Sequence, residues 1–159
     1  MSVITPLDRV REHVQKFDTN LEPIVYEEAL KTSDEAAQAL GVDVAQIAKS
    51  ILFRSNDAYG LFVAAGDIRI HPKQVKKCLG GKKPKMASPE EVLQVTGFQV
   101  GAVCPFALLQ EVPIFIDESL QRFDTVYTAA GIPESLLPVS YSKLLDMTKG
   151  VSINAAAPE

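Results

Sequence analysis

Two apolar segments separated by a short polar turn are the feature that most restricts how this 159-residue chain can fold. Residues 50–54 and 59–65 have the length and composition of strands, and the four residues between them are typical of a hairpin turn. Further short strands are predicted, interleaved irregularly with helices, at 23–26, 68–70, 84–86, 112–117 and 123–128. This order predicts an α+β fold around a mixed, largely antiparallel sheet.

Helices are predicted where apolar residues recur at helical spacing behind capping patterns. The pairs Thr32 with Glu35 and Ser88 with Glu91 are capping boxes, and Pro72 and Pro89 stand where a helix best accepts proline. The predicted helices are 7–17, 32–41, 44–48, 72–80, 88–97 and one that follows Ser140. No repeat or linker interrupts the chain, so residues 1–159 are expected to form a single domain, with the first helix within 1–20.

The basic residues are distributed unevenly along the chain. The net charge is −4, which argues against a general nucleic-acid coat protein. Residues 68–86 nevertheless contain no acid and seven of the 16 basic residues, which leaves 9 basic against 20 acidic residues elsewhere. Two interpretations are open: a surface that orients a polyanion, or an ordinary solvated helix and turn. The basic residues are Arg69, Lys73, Lys76, Lys77, Lys82, Lys83 and Lys85.

Several classes of protein and site are not expected. No apolar run approaches the roughly 20 residues that span a membrane, and no signal pattern precedes residue 20, so the expected compartment is the cytoplasm. The two cysteines, Cys78 and Cys104, do not form a disulfide framework. The two histidines, His13 and His71, lack zinc-binding spacing, and no phosphate-binding loop or serine elbow occurs. We therefore expect no metal and no cofactor.

Three features are candidates for chemistry. Lys49 begins an apolar strand, either as a surface lysine with a buried stem or as a ligand for phosphate or carboxylate. Cys104 is either a core residue or a nucleophile, although the sequence shows no base beside it. Residues 97–106 contain a Gly-x-x-x-Pro segment from Gly101 to Pro105. This segment is either a helix end leading to a core strand or a rigid loop whose N–H groups face a ligand carbonyl.

Six motifs occur in an order that is specific to one family. They are AAQALGV at 36–42, IAKSIL at 47–52, ASPEEV at 87–92 followed by TGF at 96–98, GAVCP at 101–105, IDESL at 116–120 and VYTAAG at 126–131. Together they resemble the YbaK/EbsC family, the free-standing relatives of the editing domain inserted in bacterial prolyl-tRNA synthetase. The resemblance covers residues 25–150.

The resemblance implies a barrel-like mixed sheet and a metal-independent aminoacyl-tRNA deacylase that removes a wrong amino acid from the tRNA 3′ end. Lys49 matches the family lysine associated with the terminal phosphate and adenosine. Gly101 and Pro105 match the loop whose backbone lies against the aminoacyl ester. The positions expected by motif to line the pocket, each with a core role as the alternative, are Tyr26, Phe98, Thr128, Ala130 and Gly131. The residues expected to contact the tRNA are Arg69, Lys73, Lys76, Lys77, Lys82 and Lys83.

Two positions depart from the family pattern. Ala129 stands where some deacylases carry serine, and residues 132–135 stand where other members carry a histidine. These departures bear on the amino acid removed and, to a lesser extent, on catalytic competence. Three hypotheses are open. The first is a trans-editing deacylase acting on mischarged tRNA, alone or with a synthetase. The second is a non-catalytic module that binds an amino acid, a tRNA end or a synthetase. The third is a thiol-dependent hydrolase that uses Cys104.

Overall fold

The computed structural model describes residues 5–30 and 32–155, so the ends of the predicted domain lie outside the described residues. Short 3₁₀ helices cover Val44–Gln46 and Glu118–Arg122. The α-helices are α1 (Pro6–Gln15), α2 (Ser33–Leu40), α3 (Pro72–Leu79), α4 (Pro89–Thr96) and α5 (Tyr141–Thr148). The strands are β1 (Ile24–Val25), β2 (Ile47–Ser55), β3 (Ala58–Ala65), β4 (Lys85–Met86), β5 (Ile114–Asp117), β6 (Val126–Thr128), β7 (Ser135–Val139) and β8 (Val151–Ile153).

The described strands form one mixed sheet, which confirms the predicted α+β fold. Their order is β1-β7-β6-β2-β3-β5-β8, and β4 pairs with β2 beside this path. The predicted hairpin is β2 and β3, which pair antiparallel with Ser50 opposite Val63. Four pairings are antiparallel and three are parallel, the parallel ones being β2 with β6, β3 with β5 and β5 with β8. The hairpin therefore lies at the centre of the sheet.

Three details of the predicted elements are wrong. Strands β7 and β8 were not predicted, because β7 contains Pro138 and β8 has only three residues, and both depend on pairing with distant strands. Residues 68–70 are not a strand: the Ile68 N–H bonds to the Ala65 C=O in a turn, while the Ile70 side chain is buried. The helix predicted at 44–48 is a single turn, and β2 begins at Ile47. Lys49 therefore lies within the strand.

The predicted capping residues are confirmed in atomic detail. Thr32 Oγ1 accepts the Glu35 N–H at 3.1 Å. Ser88 Oγ accepts the Glu91 N–H at 3.2 Å, and the Glu91 carboxylate accepts the Ser88 N–H at 2.9 Å. Gly97 ends α4 with φ +81°, a left-handed conformation that glycine adopts at little cost. This cap fixes where the Gly-x-x-x-Pro loop leaves the helix.

The sheet buries apolar residues on both faces. One face packs against α1, α4, α5 and the loop after α4, with Phe98 and Phe106 fully enclosed. The other face packs against α3, where Phe62 stacks on Phe115 with ring centroids 4.8 Å apart. Helix α2 closes one end of the sheet through a smaller cluster around Ile47. The start of β2 is therefore enclosed by α2 and by the loop after α4.

Glu91 is expected to make the fold sensitive to acid. Its carboxylate accepts hydrogen bonds from the Ser88 N–H, the Tyr59 hydroxyl and the Arg54 guanidinium, and these bonds lower its pKa from 4.5 to about 2. Because the folded pKa lies below the unfolded one, this stabilisation is complete above pH 4.5 and is lost as the pH falls towards 2. We expect Glu91→Gln to lower the midpoint of urea unfolding at pH 7 and to flatten its dependence on pH in that window. Glu90→Gln, on the same helical turn, is the control, and equal effects of the two substitutions would contradict this role.

Candidate active site

A cavity of about 190 Å³ lies between the start of α2, the start of β2 and the loop after α4. Its walls are mainly apolar and carry a few hydroxyl and backbone groups, as is typical of small-molecule sites. The lining residues are Leu30, Thr32, Ser33, Ala36, Ile47, Ala48, Lys49, Ser50, Gly101, Val103, Ala129, Pro133, Ser135 and Leu136.

Lys49 is the only charged residue among the described residues that line the cavity. Its side chain is half-buried, and burial lowers the pKa of the ammonium group, an effect that the charge of Asp67 partly opposes. Asp67 itself is held by Arg122 through two N–H to carboxylate bonds of 2.7 and 3.1 Å. Within the described part of the chain Lys49 makes no ion pair of its own. A cation without a carboxylate partner is thus available to an anionic ligand.

Arg9 of α1 holds the loop that contains the Gly-x-x-x-Pro segment. Arg9 donates from Nε to the Ala107 C=O and from Nη2 to the Thr96 C=O, both at 3.0 Å, and its guanidinium lies 4.5 Å from the centre of the Phe98 ring. These contacts fix both ends of the segment that carries Gly101. Sequence reasoning missed Arg9, because nothing local distinguishes it from other helix arginines. A side chain of α1 therefore holds the loop that forms one wall of the cavity.

Gly101 lies at the exposed side of this wall. Its φ is +93°, a conformation that side chains of L-residues rarely adopt. No atom lies within 4 Å of the point where a Cβ would stand, so it is the backbone conformation and not the available space that calls for glycine here. The structure therefore brings Lys49 and Gly101 to one cavity from β2 and from the loop after α4.

The other predicted pocket residues lie elsewhere. Phe98, Thr128 and Ala130 are at most 1% exposed and belong to the interior of the fold. Gly131 is buried against α1, where a Cβ would stand 2.7 Å from the Pro6 carbonyl oxygen. None of these four lines the cavity; within β6 and the loop after it, Ala129 and Pro133 are the residues that do. These four residues therefore pack in the interior of the fold and do not face the cavity.

Tyr26 and Pro105 also lie outside the cavity wall. Tyr26 is half-buried against the cluster under α2, and Pro105 is buried and lines a separate groove beside His13. In their place the cavity is lined by residues from the start of α2 and from the loop before β7, which sequence reasoning did not propose. The only signal for them was that residues 36–42 belong to a family motif.

Cys104 is enclosed in the core. Its Sγ lies 3.8 Å from the Phe106 C=O, and burial raises its pKa to about 12, so the thiol stays protonated near neutral pH. We expect Cys104→Ala to keep full hydrolytic activity and to lose about 1 kcal/mol of unfolding free energy through the small void that it leaves. Cys78→Ala is the control. Loss of activity in a Cys104→Ala protein that remains folded would revive the thiol-dependent hypothesis.

The basic residues form an exposed surface on and after α3. Lys73, Lys76 and Lys77 face away from the buried Val75 of the same helix, and Arg69, Lys82 and Lys83 are also exposed. Alternation along β2 places Ile51 and Phe53 on the same face as Lys49. Both of these residues pack in the cluster with α3. The basic surface and the Lys49 side chain therefore share one face of the sheet.

The described residues contain no group of three or more His, Cys, Asp and Glu side chains that is close enough to hold a metal ion. None of the described helices is both long and apolar enough to cross a membrane. The polar groups that the described residues contribute to the cavity are thus one lysine, a few hydroxyls and backbone groups.

A family model described as an aminoacyl-tRNA editing domain matches residues 27–147, which is most of the chain. The chain belongs to the aminoacyl-tRNA editing domain family. This match falls within residues 25–150, the stretch covered by the resemblance, and confirms the resemblance to YbaK-like proteins. Membership of the family thus accounts for the fold.

Relatives of this editing domain occur both as separate proteins and within synthetases. The uncharacterised protein YwhH of Bacillus subtilis (strain 168) is 37% identical over 153 residues, and the match covers 90% of this chain and 97% of YwhH. The proline–tRNA ligase of Bacillus pumilus (strain SAFR-032) is 38% identical over 107 residues, but these cover 67% of this chain and only 19% of the ligase.

Solved structures share the whole fold. A crystal structure described as a candidate trans-editing enzyme for prolyl tRNA synthetase has a TM-score of 0.90 and 29% identity, and the match covers 99% of this chain and 100% of that one. The structure of the hypothetical protein APE2540 has a TM-score of 0.84 and 28% identity over 92% of this chain and 97% of that one. The chain thus shares its fold with these two proteins over nearly all of its length.

Proposed function

We propose that this protein is a trans-editing deacylase that hydrolyses the ester between a wrong amino acid and the 3′ end of a tRNA. The observation that carries the proposal is the convergence of Lys49 and Gly101 on one small cavity. Membership of the editing family and similarity to a candidate trans-editing enzyme over its full length support it. Association with a prolyl-tRNA synthetase in the cytoplasm is part of the same proposal.

In this proposal each residue acts on a different part of the substrate. The Lys49 ammonium binds the terminal phosphate end of the tRNA, and the Gly101 N–H donates to the ester carbonyl as negative charge develops on its oxygen. Water or a neighbouring ribose hydroxyl attacks the carbonyl carbon, the ester C–O bond breaks, and the ribose oxygen takes up a proton. With water as the attacking group the products are a free amino acid and an uncharged tRNA. Attack by the ribose hydroxyl transfers the aminoacyl group to that oxygen, and water then cleaves the new ester to give the same products. An activated ester held in position needs no catalytic triad.

The walls of the cavity indicate a small, uncharged amino acid. Leu30, Ile47 and Leu136 contribute apolar surface, and the lining residues that the structure describes include no carboxylate to accept a cationic side chain. Synthetase pockets reject smaller or isosteric amino acids by only about 10- to 200-fold, so a second hydrolytic site has a clear role in translation fidelity. Alanine, serine, cysteine and threonine are the side chains that we expect this cavity to accept.

A deacylation screen tests the proposal. tRNAs charged with labelled alanine, serine, cysteine or threonine are incubated with the protein, and release of amino acid is compared with spontaneous hydrolysis. We expect at least one species to be deacylated faster than in buffer. The described residues of the cavity wall include no histidine and no carboxylate, which favours one alternative, a non-catalytic module that binds a tRNA end, an amino acid or a synthetase. Binding of charged tRNA without release from any species would establish that alternative.

The basic surface is expected to hold the acceptor end of the tRNA. Lys76→Glu reverses a charge on the exposed side of α3, so we expect tRNA affinity to fall severalfold and the slope of log K against log salt to fall by about 1. Binding is measured by filter retention at several salt concentrations. Lys16→Glu, an exposed lysine at the end of α1, is the control. Equal losses in both variants would mean that net charge, and not this surface, governs binding.

A further inference from the structure

Strand β2 has an uncovered stretch on the edge that faces away from β3. Strand β6 pairs with this edge at Ile47 and Ala48, and β4 pairs with it at Phe53 and Arg54. In the described residues no strand pairs with this edge between those two points. This unpaired stretch of β2 leaves a gap that faces the cavity, because Ala48, Lys49 and Ser50 all line the cavity.

The backbone of Ser50 points into this gap. In an antiparallel pair, successive residues turn their N–H and C=O groups alternately towards the partner strand and away from it. The Leu52 C=O accepts the Ala87 N–H at 2.9 Å on the side of β4, so Leu52 is turned away from β3. Ser50, two residues earlier, is therefore turned the same way, with its N–H and C=O towards the cavity.

The side chain of Ser50 is also unsatisfied. Its Oγ is the one buried side-chain nitrogen or oxygen of the described residues that has no hydrogen-bond partner. Such groups are rare and costly, and each calls for an explanation. Two other hydroxyls of the cavity wall have structural partners: Thr32 Oγ1 caps α2, and Ser135 Oγ accepts the Ala130 N–H and donates to the Ile132 C=O. Three polar groups of a single residue thus remain for a ligand.

We propose that the aminoacyl group of the substrate pairs with Ser50 as a strand of one residue. An α-amino ester carries a donor and an acceptor on either side of one Cα, as a residue in a strand does. Its ammonium donates to the Ser50 C=O and Oγ, and its ester carbonyl accepts the Ser50 N–H. Alternation places the Lys49 side chain on the opposite face of β2, away from the bound ammonium. This inference rests on the proposed function and names the group that recognises the amino acid.

The test uses two stable probes with the full chain. One is adenosine carrying an L-alanyl amide at the 3′ position, and the other carries a propionyl amide, which has the carbonyl but no ammonium. Calorimetry is expected to show at least about tenfold tighter binding of the alanyl probe. In ¹⁵N-edited spectra both probes are expected to shift the Ser50 amide proton downfield. Equal affinities, or a Ser50 amide that neither probe moves, would overturn the inference.

A variant separates binding from folding. Ser50→Ala removes a hydroxyl that has no partner, so we expect unchanged or higher thermal stability, about fivefold weaker binding of the alanyl probe and unchanged binding of the propionyl probe. Ser135→Ala, on the same cavity wall, is expected to lose stability because its hydroxyl makes two hydrogen bonds. Unchanged binding of both probes by Ser50→Ala would contradict the role of Oγ.

The two proposals can fail separately. A protein that prefers the alanyl probe as described but releases no amino acid from any charged tRNA contradicts the proposed deacylase function alone. A protein that deacylates tRNA but binds both probes equally contradicts only the role of Ser50.

Discussion

Lys49→Met is expected to reduce deacylation by about 100-fold or more, because it removes the only charge that the described residues contribute to the cavity wall and keeps the length of the side chain. The stability of the fold is not expected to decrease. Burial lowers the pKa of Lys49, which means that the folded protein disfavours the charged form and that a neutral side chain is tolerated or preferred. Activity and stability are therefore expected to change in opposite directions.

Single-turnover deacylation of the best substrate in the screen, together with a thermal melt, measures both effects. Lys77→Met is the matched control, since it neutralises an exposed lysine of α3 and leaves the cavity intact. A Lys49→Met protein that is slow only because it melts earlier would not support the assigned role.

Gly101→Ala is expected to slow the chemical step by about 100- to 1000-fold, the range seen when one donor to a developing oxyanion is removed. The added methyl meets no atom within 4 Å, so the effect arises from the backbone, which an L-residue pulls away from φ +93°. The same strain should lower the unfolding free energy by about 1 kcal/mol. The loss of rate is expected in kcat more than in KM.

Gly41→Ala provides a closely matched comparison. Gly41 ends α2 with φ +70°, a Cβ placed there also meets nothing within 4 Å, and the residue does not line the cavity. It should lose a similar amount of stability and keep its activity. If the two alanine variants deacylated tRNA equally well, the loop backbone would have no part in the reaction.

Local sequence signals predicted the centre of the fold better than its edges. The hairpin of β2 and β3 and the caps at Thr32, Ser88 and Gly97 depend on neighbouring residues, and all were found. Strands β7 and β8 depend on pairing with strands that are distant in sequence, and no periodicity of three to five residues predicts that. For residues 68–70 a strand was predicted where none exists. The alternating apolar side chains pack towards the core, but the backbone pairs with no strand of the described chain.

The site shows the same limit. Lys49 and Gly101 stood out through their residue type and motif position, and the structure brings them to one cavity. Phe98, Thr128 and Ala130 were equally prominent in the motifs but lie in the core, since a motif records packing constraints as well as contacts with a ligand. The roles of Arg9 and Ser50 depend on a loop contact and on a gap between strands, which exist only in the folded chain.

The most direct measurement is the rate at which labelled amino acid is released from alanyl-, seryl-, cysteinyl- and threonyl-tRNA, with the parent protein and Lys49→Met assayed side by side. The account predicts that the parent accelerates release from at least one of these tRNAs and that Lys49→Met returns that rate close to the spontaneous one. Release by the parent that is no faster than in buffer for every tRNA, or equal rates for the two proteins, would contradict it.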